Sequence, residues 1–567
     1  MSSQPAYLCH PREISCLLAT PGDPGARDRF PAGSLVSTKH MRGPQFTTAG
    51  VVFVSFTIAL VLSVWVHRDF GWLAGAIGIF LILAVVDFFQ LRHSVRRNYP
   101  LFGRLRWVAE LFRPEIQQYF VEPDTEGKPY DRNHRSLVYQ RAKEGHGEKP
   151  FGTQLDVYAP GYEWFSHSLA PEPQFEGQFR VRLDGQGVDQ PYDMSLLNVS
   201  AMSFGSLSAN AIVALNEGAR MGEFAHDTGE GGLSEHHKRG GDLVWEIGTG
   251  YFGARTPDGH FDADKFVEVA TLDQVKCINI KLSQGAKPGL GGVMPAAKVT
   301  AEIAAIRGVP EGVKCVSPPH HTAFSTPEEL LTFVDDLRRL SGGKPTGFKL
   351  CIGRPTEFLG ICKAMVETGI HPQFILIDGS EGGTGAAPLE FEDHVGTPLT
   401  EGLMFAHNAL VGAGLRDRIK IGAAGKIDSG AAMAARIAQG ADFTNAARAM
   451  MLALGCIQSM RCETNTCPVG ITTQDPRRVR GLVVEDKAER VHRFHANTVA
   501  SFNQLLAAMG LDDPDQLDPS FLMRRTDPTT TSSYAELFEW LDPGELLGGP
   551  RRSWADIWAK ASPGAFV

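Results

Sequence analysis

The feature that most constrains this chain is a unit that repeats from about residue 195 onward. Each unit contains a short apolar run, often β-branched, then a glycine-rich turn, then an amphipathic stretch. Strands that alternate with helices predict an α/β fold with a parallel sheet and right-handed crossovers. About eight such units fit a (β/α)8 TIM barrel better than an open doubly wound sheet, although the alternation alone is consistent with both. The strand-like runs include 196–202, 275–282, 347–352, 374–377, 419–421 and 442–445, and the helix-like stretches include 206–221, 327–340 and 429–439.

Clusters of glycine stand at the ends of several of these predicted strands. A barrel places its active site at that end, and glycine allows backbone N–H groups to approach an anion closely. Barrels commonly bind phosphate in the loops after the last two strands, where the clusters at 378–385 and 422–425 lie. Those clusters predict a phosphate cradle, and the alternative is that they are ordinary turn glycines.

Two apolar runs precede the repeats and predict a membrane hairpin. Residues 46–66 and 70–86 contain no charged side chain, and each is long enough, or nearly so, to cross the ~30 Å hydrocarbon core. The alternative is a buried pair of core helices, which the absence of a polar stripe disfavours. The positive-inside rule places both basic flanks, and the chain after residue 90, on the cytoplasmic side of the cell inner membrane. The flanking basic residues are Lys39, Arg42, Arg92, Arg96, Arg97, Arg104 and Arg106.

Three of the nine cysteines, Cys456, Cys462 and Cys467, fall within twelve residues. Five and four residues separate them, a spacing that matches neither a zinc C-x2-C pair nor the common ferredoxin patterns. Because a cytoplasmic domain disfavours disulfides, the group indicates metal or redox chemistry, and three thiolates suit an iron–sulfur cluster with one open corner. Chance clustering of inert buried cysteines is the alternative. The cysteines expected to pack in the core are Cys277, Cys315, Cys351 and Cys362.

Charge excludes one large class of function. The chain has 55 Lys and Arg against 64 Asp and Glu, a formal net charge of −9, so no nucleic-acid partner is expected. Residues 1–45 are rich in Pro, Gly and Ser without periodicity and are expected to be disordered. Met41 stands just before the first apolar run, so the two candidate starts of translation are Met1 and Met41.

The repeat region contains six short motifs in a characteristic order. They are Met-Ser-Phe-Gly-Ser at 202–206, Thr-Gly-Glu-Gly-Gly at 228–232, Lys-Leu-Ser-Gln-Gly-Ala-Lys-Pro-Gly at 281–289, Ser-Pro-Pro-His-His at 317–321, Gly-Gly-Thr-Gly at 382–385, and Gly-Cys at 455–456 with Cys-Glu-Thr-Asn-Thr-Cys-Pro-Val-Gly at 462–470. With these motifs the chain resembles the FMN-binding domain of the glutamate synthase large subunit, densely over 195–475 and more loosely over 110–547. Over the longer range it is similar to the stand-alone, membrane-tethered members of that family.

The resemblance implies FMN in the barrel beside a [3Fe-4S] cluster, and synthesis of L-glutamate from 2-oxoglutarate and ammonia through 2-iminoglutarate. By position, Gln284, Lys287 and Arg307 are the implied substrate-binding residues. Two cations suit a dicarboxylate, because each can bind one carboxylate. The implied catalytic residues are Lys287, Glu230 and Lys349; the implied flavin contacts are Met202, Ser203, Phe204 and Lys349; the implied phosphate contacts are Gly382, Gly383, Thr384, Gly425 and Ala446; and the implied cluster ligands are Cys456, Cys462 and Cys467.

The resemblance does not extend to the N-terminal glutaminase domain or the C-terminal glycine-repeat β-helix of the full enzyme. Ammonia is therefore expected from solution or from a separate amidotransferase subunit, and electrons from ferredoxin or a reductase subunit. Leu233 stands where the family usually has an acidic residue, in a loop that borders the implied substrate site. Two alternatives stay open: an N-methylglutamate synthase-type amine-transfer subunit, and a non-catalytic scaffold anchored in the membrane.

Together these patterns predict five segments along the chain. They are a disordered segment at 1–45, a two-helix transmembrane hairpin at 46–90 in contact with lipid, an N-terminal extension of the synthase domain at 91–190, the FMN-binding barrel with its iron–sulfur loop at 191–480, and a C-terminal helical segment at 481–567.

Overall fold

In a computed structural model the chain forms two compact units, the first ending at Phe120 and the second extending from Val121 to Val567. The structure describes residues 44–143 and 147–567, with side chains from residue 47 onward. The predicted disordered segment 1–45 lies outside the described residues except for its last two, and Met41 lies outside them as well.

The first unit contains two long apolar helices, α1 (Pro44–Trp65) and α2 (Phe70–Phe89), that pack against each other. By length and composition, Thr47–Trp65 and Phe70–Phe89 are able to cross a membrane. Large apolar side chains face outward along both helices, and Trp65 and Trp72 are 83% and 85% exposed. Because core helices bury such side chains, this pair matches the predicted hairpin better than the alternative of a buried core pair.

The carboxylate of Asp87, near the end of α2, holds the two helices that follow. It is fully buried and accepts hydrogen bonds from Nη2 of Arg96 at 2.6 Å and from Nε of Arg104 at 2.7 Å. The backbone N–H of Leu101 donates to the same carboxylate at 3.2 Å. Two cations and one N–H group thus compensate a single buried negative charge. The helices are α3 (Ser94–Asn98) and α4 (Phe102–Ile116), and a π-helical turn follows at Gln117–Val121.

The second unit is built around a closed barrel of eight parallel strands, which confirms the predicted (β/α)8 fold class. Each strand pairs with its neighbours in the chain and the eighth pairs with the first, so the barrel has no free edge. In chain order the strands are β1 (Leu197–Val199), β2 (His226–Asp227), β3 (Leu243–Ile247), β4 (Val275–Lys281), β5 (Thr346–Leu350), β6 (Phe374–Asp378), β7 (Lys420–Ala424) and β8 (Phe443–Ala446).

Several helices around the barrel begin at a side-chain cap. Pro327–Leu340 has the predicted bounds: Pro327 occupies its first turn, and the Thr326 side chain accepts a hydrogen bond from the N–H of Glu329. The predicted stretch 429–439 forms the helix Gly430–Ala438. Its cap is Ser429, whose hydroxyl accepts a hydrogen bond from the N–H of Ala432.

A two-stranded hairpin closes the amino-terminal mouth of the barrel. Its strands, Arg180–Leu183 and Tyr192–Ser195, lead directly into β1. Apolar side chains of the hairpin cluster with Phe374 and Phe443, the first residues of β6 and β8. The amino end is therefore filled by packing, which leaves the carboxyl ends of the strands for a site.

The remaining elements surround the barrel. The longest helix, Val484–Ala508, packs on Ala209–Gly222. A three-stranded antiparallel sheet pairs a strand that precedes the barrel in the chain with two strands that follow it. That sheet contains Glu163–Phe165, Leu522–Arg525 and Thr531–Ser533, a short ladder pairs Val293–Met294 with Cys315–Val316, and the other α-helices of this unit are Arg132–Ala142, Ala263–Ala270, Ala301–Arg307, Pro355–Thr368, Leu389–His394, Leu399–Gly412, Arg448–Leu454, Pro476–Val479, Tyr534–Leu537, Glu545–Gly548 and Arg552–Lys560.

Candidate active site

A network of buried charges surrounds Lys349 near the carboxyl end of β5. Its Nζ forms an ion pair with Glu246 of β3, and both side chains are buried. Asp227 of β2 and Asp378 of β6 also lie within electrostatic reach of this ammonium. Burial opposes the positive charge, but the three carboxylates outweigh it and raise the pKa of Lys349 above its ordinary value. The barrel therefore holds a cation at its centre at neutral pH.

Asp227 holds its proton more tightly than an ordinary aspartate. Burial, and after it the charge of Glu246, raises the pKa of Asp227. The N–H of Gly229 at 2.9 Å and Nδ2 of Asn279 at 3.1 Å donate to the carboxylate and partly offset this effect. Carboxyl groups with raised pKa values cluster at sites that exchange protons, so Asp227 is a candidate member of the working site.

Asp378 ties the loops after β4 and β6 together. Its Oδ2 accepts a hydrogen bond from the N–H of Gly285 at 2.9 Å, and burial raises its pKa. An ideal Cβ at Gly285 would lie only 1.8 Å from the carbonyl oxygen of Gly379, so this approach requires glycine. The predicted glycine-rich ends of β4 and β6 are thus in direct contact.

Lys281, the last residue of β4, joins two of the predicted site residues. Its Nζ lies 3.0 Å from Oε1 of Glu230 and donates to Oε1 of Gln284 at 2.8 Å. Burial favours the neutral form of Glu230, but Lys281 and then Arg307 outweigh it and lower the pKa of this carboxyl. Glu230 is therefore an ionised carboxylate within electrostatic reach of several cations.

Lys287, a predicted substrate cation, is 3% exposed. Its Nζ donates to the carbonyl oxygen of Ala386 at 3.0 Å, which draws the loop after β4 toward the loop after β6. Burial lowers the pKa of Lys287, and the charge of Glu230 opposes that change. The ammonium has donors left for an anion, because a lysine carries three.

Arg307, the second predicted substrate cation, is 4% exposed at the end of the helix Ala301–Arg307. Its Nη2 lies 3.2 Å from the carbonyl oxygen of Phe204, and the guanidinium stands 4.9 Å above the ring of Phe252. Its Nε is buried and has no hydrogen-bond partner in the part of the chain that the structure describes. A carboxylate bound here would satisfy that donor.

The predicted flavin contacts Met202, Ser203 and Phe204 follow β1, and the first and last of them are buried. They touch the loop after β2, where Gly229 has a φ of 65° and an ideal Cβ would lie 2.6 Å from the backbone nitrogen of Ser203. An ideal Cβ at Gly231 would lie 2.9 Å from Nη2 of Arg307. Glycine therefore lets the implied flavin loop and the implied substrate loop meet.

The predicted phosphate contacts lie at the ends of three neighbouring strands, β6, β7 and β8. An ideal Cβ at Gly383, after β6, would lie 2.9 Å from Cδ of Arg448. At Gly425, after β7, it would lie 3.1 Å from Cδ2 of Leu399. Ala446 ends β8, and Gly382 and Thr384 belong to the same loop as Gly383. The barrel thus gathers the predicted cradle on one side of its carboxyl end.

Two cations that the sequence analysis did not single out border this cradle. Arg448 directs Nη2 to the carbonyl oxygen of Glu381 at 2.5 Å, and Lys426 directly follows Gly425. Burial lowers the pKa of Lys426, and the charge of Arg448 adds to the effect. Glycine backbone beside two cations suits a phosphate monoester, and Lys349 suits an electron-rich ring edge, so the residues present fit FMN.

The three predicted cluster ligands lie in one loop after the helix Arg448–Leu454. Cys467 is buried, and Cys456 and Cys462 are partly exposed. The thiols are close enough to influence one another's ionisation. Within the described ranges, however, no three His, Cys, Asp or Glu side chains converge as a metal-binding group. The chemistry of the donors fits an iron–sulfur cluster, while their present arrangement is not that of ligands around a metal.

The N–H of Gln458 in this loop donates to Sγ of Cys456 at 3.4 Å. Burial disfavours the thiolate of Cys467, but the polar groups of Thr472, Val469 and Ile471 outweigh burial and lower the pKa of this thiol. At Cys456, by contrast, burial raises the pKa to about 12. Such N–H donors around thiolate sulfur are typical of the surroundings that tune an iron–sulfur cluster.

The cysteine loop is joined to the loop after β1. Nζ of Lys298 donates to the carbonyl oxygen of Cys462 at 2.7 Å and to that of Ser206 at 3.1 Å. The hydroxyl of Ser208 donates to the carbonyl oxygen of Gly470 at 2.7 Å. The cysteine loop therefore packs directly beside the stretch predicted to face the flavin.

Sequence reasoning missed several residues that shape this site. Lys281 stood inside a recognised motif without a role, and Glu246 and Asp227 lie on β3 and β2, outside the runs that the sequence displayed as strands. The available signal for Glu246 was a single acid inside the apolar run of β3. Lys426 and Arg448 offered a weaker signal, a cation just after a predicted strand.

The chain is similar in sequence to known proteins over most of its length. A sequence profile described as a conserved region in glutamate synthase matches residues 189–512. A glutamate synthase large subunit-like protein of Bacillus subtilis (strain 168), YerD, is 36% identical over 487 residues, which cover 78% of this chain and 92% of that protein. An archaeal glutamate synthase (NADPH) of Methanocaldococcus jannaschii is 35% identical over 324 residues, which cover 56% of this chain and 60% of that protein.

More distant matches are longer proteins or weaker likenesses. The glutamate synthase (NADPH) large chain of Bacillus subtilis is 33% identical over 329 residues, and this chain covers 20% of its length. A mutant flavocytochrome b2 with pyruvate bound aligns with 73% of this chain and 90% of its own, at 12% identity and a TM-score of 0.39. That structural likeness is too low to support an argument.

Proposed function

Because this chain belongs to the glutamate synthase family, we propose that it catalyses the FMN-dependent reductive amination of 2-oxoglutarate to L-glutamate. Cys456, Cys462 and Cys467 would hold a [3Fe-4S] cluster, which would supply single electrons. The observation that carries the proposal is the unsatisfied Nε of buried Arg307 in a site where Lys287 is also buried. Two buried cations with donors to spare match the two carboxylates of the substrate.

Substrate binding falls to three residues of this site. Arg307 holds one carboxylate through Nε, and Lys287 holds the other through its remaining N–H donors. Gln284, oriented by the hydrogen bond from Lys281, presents its amide to the substrate. Because both cations are almost fully buried, water competes little for these contacts and each charge-assisted bond is strong.

When bound, FMN supplies the hydride and the [3Fe-4S] cluster supplies single electrons. Lys349 would place a positive charge beside the ring edge that gains negative charge on reduction, a purely electrostatic stabilisation. Met202 and Phe204 would exclude water from the ring, and Ser203 would offer a hydroxyl. The backbone of Gly382, Gly383, Thr384, Gly425 and Ala446 would hold the phosphate, with Arg448 and Lys426 as counter-charges.

Glu230 and its neighbours handle ammonia and protons. The ionised carboxylate of Glu230 attracts an ammonium ion into a site that otherwise presents cations to the substrate. Asp227, with a raised pKa, stores a proton close to Lys349. These assignments give the predicted catalytic trio of Lys287, Glu230 and Lys349 three separate tasks: anchoring, amine attraction and charge stabilisation.

The first unit anchors the enzyme in the cell inner membrane. Its two apolar helices insert as a hairpin, and the arginines that follow α2 keep the barrel on the cytoplasmic side. Ferredoxin or a reductase subunit reaches the cysteine loop from the cytoplasm. Ammonia comes from solution or from a separate amidotransferase subunit.

The deciding experiment measures glutamate formed from 2-oxoglutarate by the purified full chain, with ammonia or glutamine as nitrogen donor and dithionite or reduced ferredoxin as electron source. We expect product with ammonia and little with glutamine alone. N-methylglutamate formed faster from methylamine would support the amine-transfer alternative. A colourless protein without flavin or iron–sulfur absorbance would contradict both activities and support the scaffold.

Lys287→Ala tests the substrate site. Loss of one charge-assisted bond worth roughly 1.5–3 kcal/mol should raise the KM for 2-oxoglutarate by about 10- to 150-fold. Lys276→Ala is the matched control, since Lys276 lies at the partly exposed amino-terminal end of β4, the strand that precedes the loop of Lys287. Unchanged KM in Lys287→Ala would place the substrate elsewhere.

Cys462→Ser tests the cluster. We expect glutamate formation with reduced ferredoxin to be abolished, while the FMN content measured by absorbance is retained. Cys362→Ala, in the buried helix Pro355–Thr368, is the control and should keep its ferredoxin-driven rate. A Cys462→Ser protein with full turnover would show that this loop holds no essential cluster.

A further inference from the structure

Helix α4 carries an apolar stripe that no described residue covers. Its members recur at helical spacing on one face, and all are at least about half exposed. The charged side chains Arg104, Arg106, Glu110 and Arg113 lie off the stripe, together with Trp107 and Leu111, which are 40% and 61% exposed. A stripe of this size left in water is unfavourable, so some surface covers it in the working protein. The α4 stripe consists of Phe102 at 64% exposure, Leu105 at 62%, Val108 at 49%, Phe112 at 55% and Ile116 at 50%.

The position of α4 is fixed relative to the hairpin by the Asp87 network. Arg104 lies on α4 and Leu101 immediately precedes it, and both donate to the carboxylate of Asp87 near the end of α2. If α2 crosses the membrane, its last turn lies at the boundary between acyl chains and headgroups. Helix α4 therefore begins at the depth of that boundary.

Charge around the stripe indicates which surface covers it. Between residue 92 and the end of α4 at residue 116 the chain has six arginines and two acidic residues, Glu110 and Glu115. Arg96 and Arg104 are occupied by Asp87, while Arg106 and Arg113 lie beside the stripe on the helical wheel. Basic side chains along an apolar stripe are typical of helices that lie in the plane of an anionic membrane surface.

We propose that α4 is an in-plane membrane helix, with its stripe in the boundary between headgroups and acyl chains and its arginines on anionic lipid headgroups. The inference rests on the proposed membrane anchoring and adds a second, independent contact with lipid. A bilayer is favoured over a protein partner because the stripe is continuous with the foot of the hairpin and is bordered by cations. The amphipathic helix and the Asp87 network together would fix the angle at which the chain leaves the membrane.

The test places an environment-sensitive fluorescent amino acid in the full chain at position 112, 110 or 79, one per protein. The proteins are reconstituted in phosphatidylcholine vesicles containing phosphatidylglycerol, with bromine on the lipids either close to the headgroup or deep in the acyl chain. We expect position 112, on the stripe, to be quenched several-fold more strongly than position 110, a charged position off the stripe. That quenching should come from the bromine near the headgroup, and quenching at position 79, in the middle of α2, from the deep bromine.

The outcomes separate this inference from the anchoring on which it rests. Quenching at 79 but not at 112 would leave the hairpin in the membrane and overturn the in-plane helix, since protein would then cover the stripe. Absence of quenching at 79 would overturn the anchoring as well. As a second variant, the double change Arg106→Glu and Arg113→Glu should lower the quenching at 112 several-fold while 79 is unchanged. Equal quenching at 112 in this variant would overturn the role of the arginines.

Discussion

Two buried carboxylates in this protein, Asp87 in the first unit and Glu246 in the barrel, meet their counter-charges in opposite proportions. Asp87 faces two arginines and a backbone N–H, so the cations exceed the acid. Glu246 shares one ammonium, Lys349, with Asp227 and Asp378, so the acids exceed the cation. In the first arrangement the acid is fully compensated, while in the second three acids share the ammonium of Lys349.

This difference in charge balance distinguishes a network that only stabilises structure from one that takes part in function. A fully compensated buried charge holds elements together and needs nothing more. In the barrel, burial raises the pKa values of Asp227 and Asp378, and the charge of Glu246 adds to the rise, at a cost to stability that folding alone does not explain. By this criterion the barrel network is suited to binding a ligand or exchanging a proton, and the Asp87 network has a structural role only.

The largest expected effect is that of removing the shared cation. Lys349→Met leaves three acids without it, and we expect glutamate formation to fall about 100- to 1000-fold, the usual loss when a preorganised electrostatic group is deleted. Initial rates should be compared at equal flavin content. Lys344→Met is the control, because Lys344 is also buried but lies before the other end of β5 and donates to the carbonyl oxygens of Ala270 and Leu272. A flavin-loaded Lys349→Met protein with normal turnover would contradict the comparison.

Asp87→Asn should affect structure without affecting chemistry. It leaves Arg96 and Arg104 without their shared anion, and we expect a local loss of about 2–3 kcal/mol, low for a buried pair because both arginines are partly exposed. Hydrogen exchange at 94–104 should accelerate while glutamate formation is unchanged. Asp69→Asn, in the exposed turn between α1 and α2, should change neither. Lost activity in Asp87→Asn would show that the two networks are not functionally separate.

The smallest effect is expected from Glu246→Gln, which keeps the shape and removes one negative charge. Part of the rise in the pKa of Asp227 comes from Glu246, so without that charge Asp227 stays ionised to lower pH. The alkaline limb of the pH–rate profile, on which Asp227 loses its stored proton, should therefore move to lower pH, with kcat reduced by about tenfold. Glu235→Gln, on an exposed side chain, should leave the profile in place. An unmoved alkaline limb in Glu246→Gln would exclude Asp227 as the titrating group.

The barrel was predictable because its signals are local and repeated. Pro327 with Thr326 defines a helix start, and the apolar run of β4 is long enough to be read directly. Strand β2 was not predictable from the sequence, since its two residues, His226 and Asp227, are too few to show a periodicity. Its position is set by pairing with β1 and β3, which no short segment of sequence records.

The site was predictable only as far as the motifs reached. The predicted cations Lys287 and Arg307 are buried in the barrel unit, and both interact electrostatically with Glu230. Arg307 lowers the pKa of Glu230, and the charge of Glu230 opposes the lowering of the pKa of Lys287. The counter-charge of Lys349 was not predicted, because Glu246 lies more than a hundred residues before Lys349 and meets it only through closure of the barrel. The Asp87 network was missed for a related reason: the arginines after α2 indicated topology, and nothing in their spacing indicated a shared acid.

The contact at Gly285 has a consequence for any mutational scan of this chain. With a Cβ 1.8 Å from the carbonyl oxygen of Gly379, even alanine would push the two loops apart and withdraw the N–H that Asp378 accepts. A scan that measured activity alone would rank Gly285 beside Lys349, although it has no functional group. Measuring flavin retention alongside turnover would distinguish residues with a chemical role from glycines that are needed only for a close backbone contact.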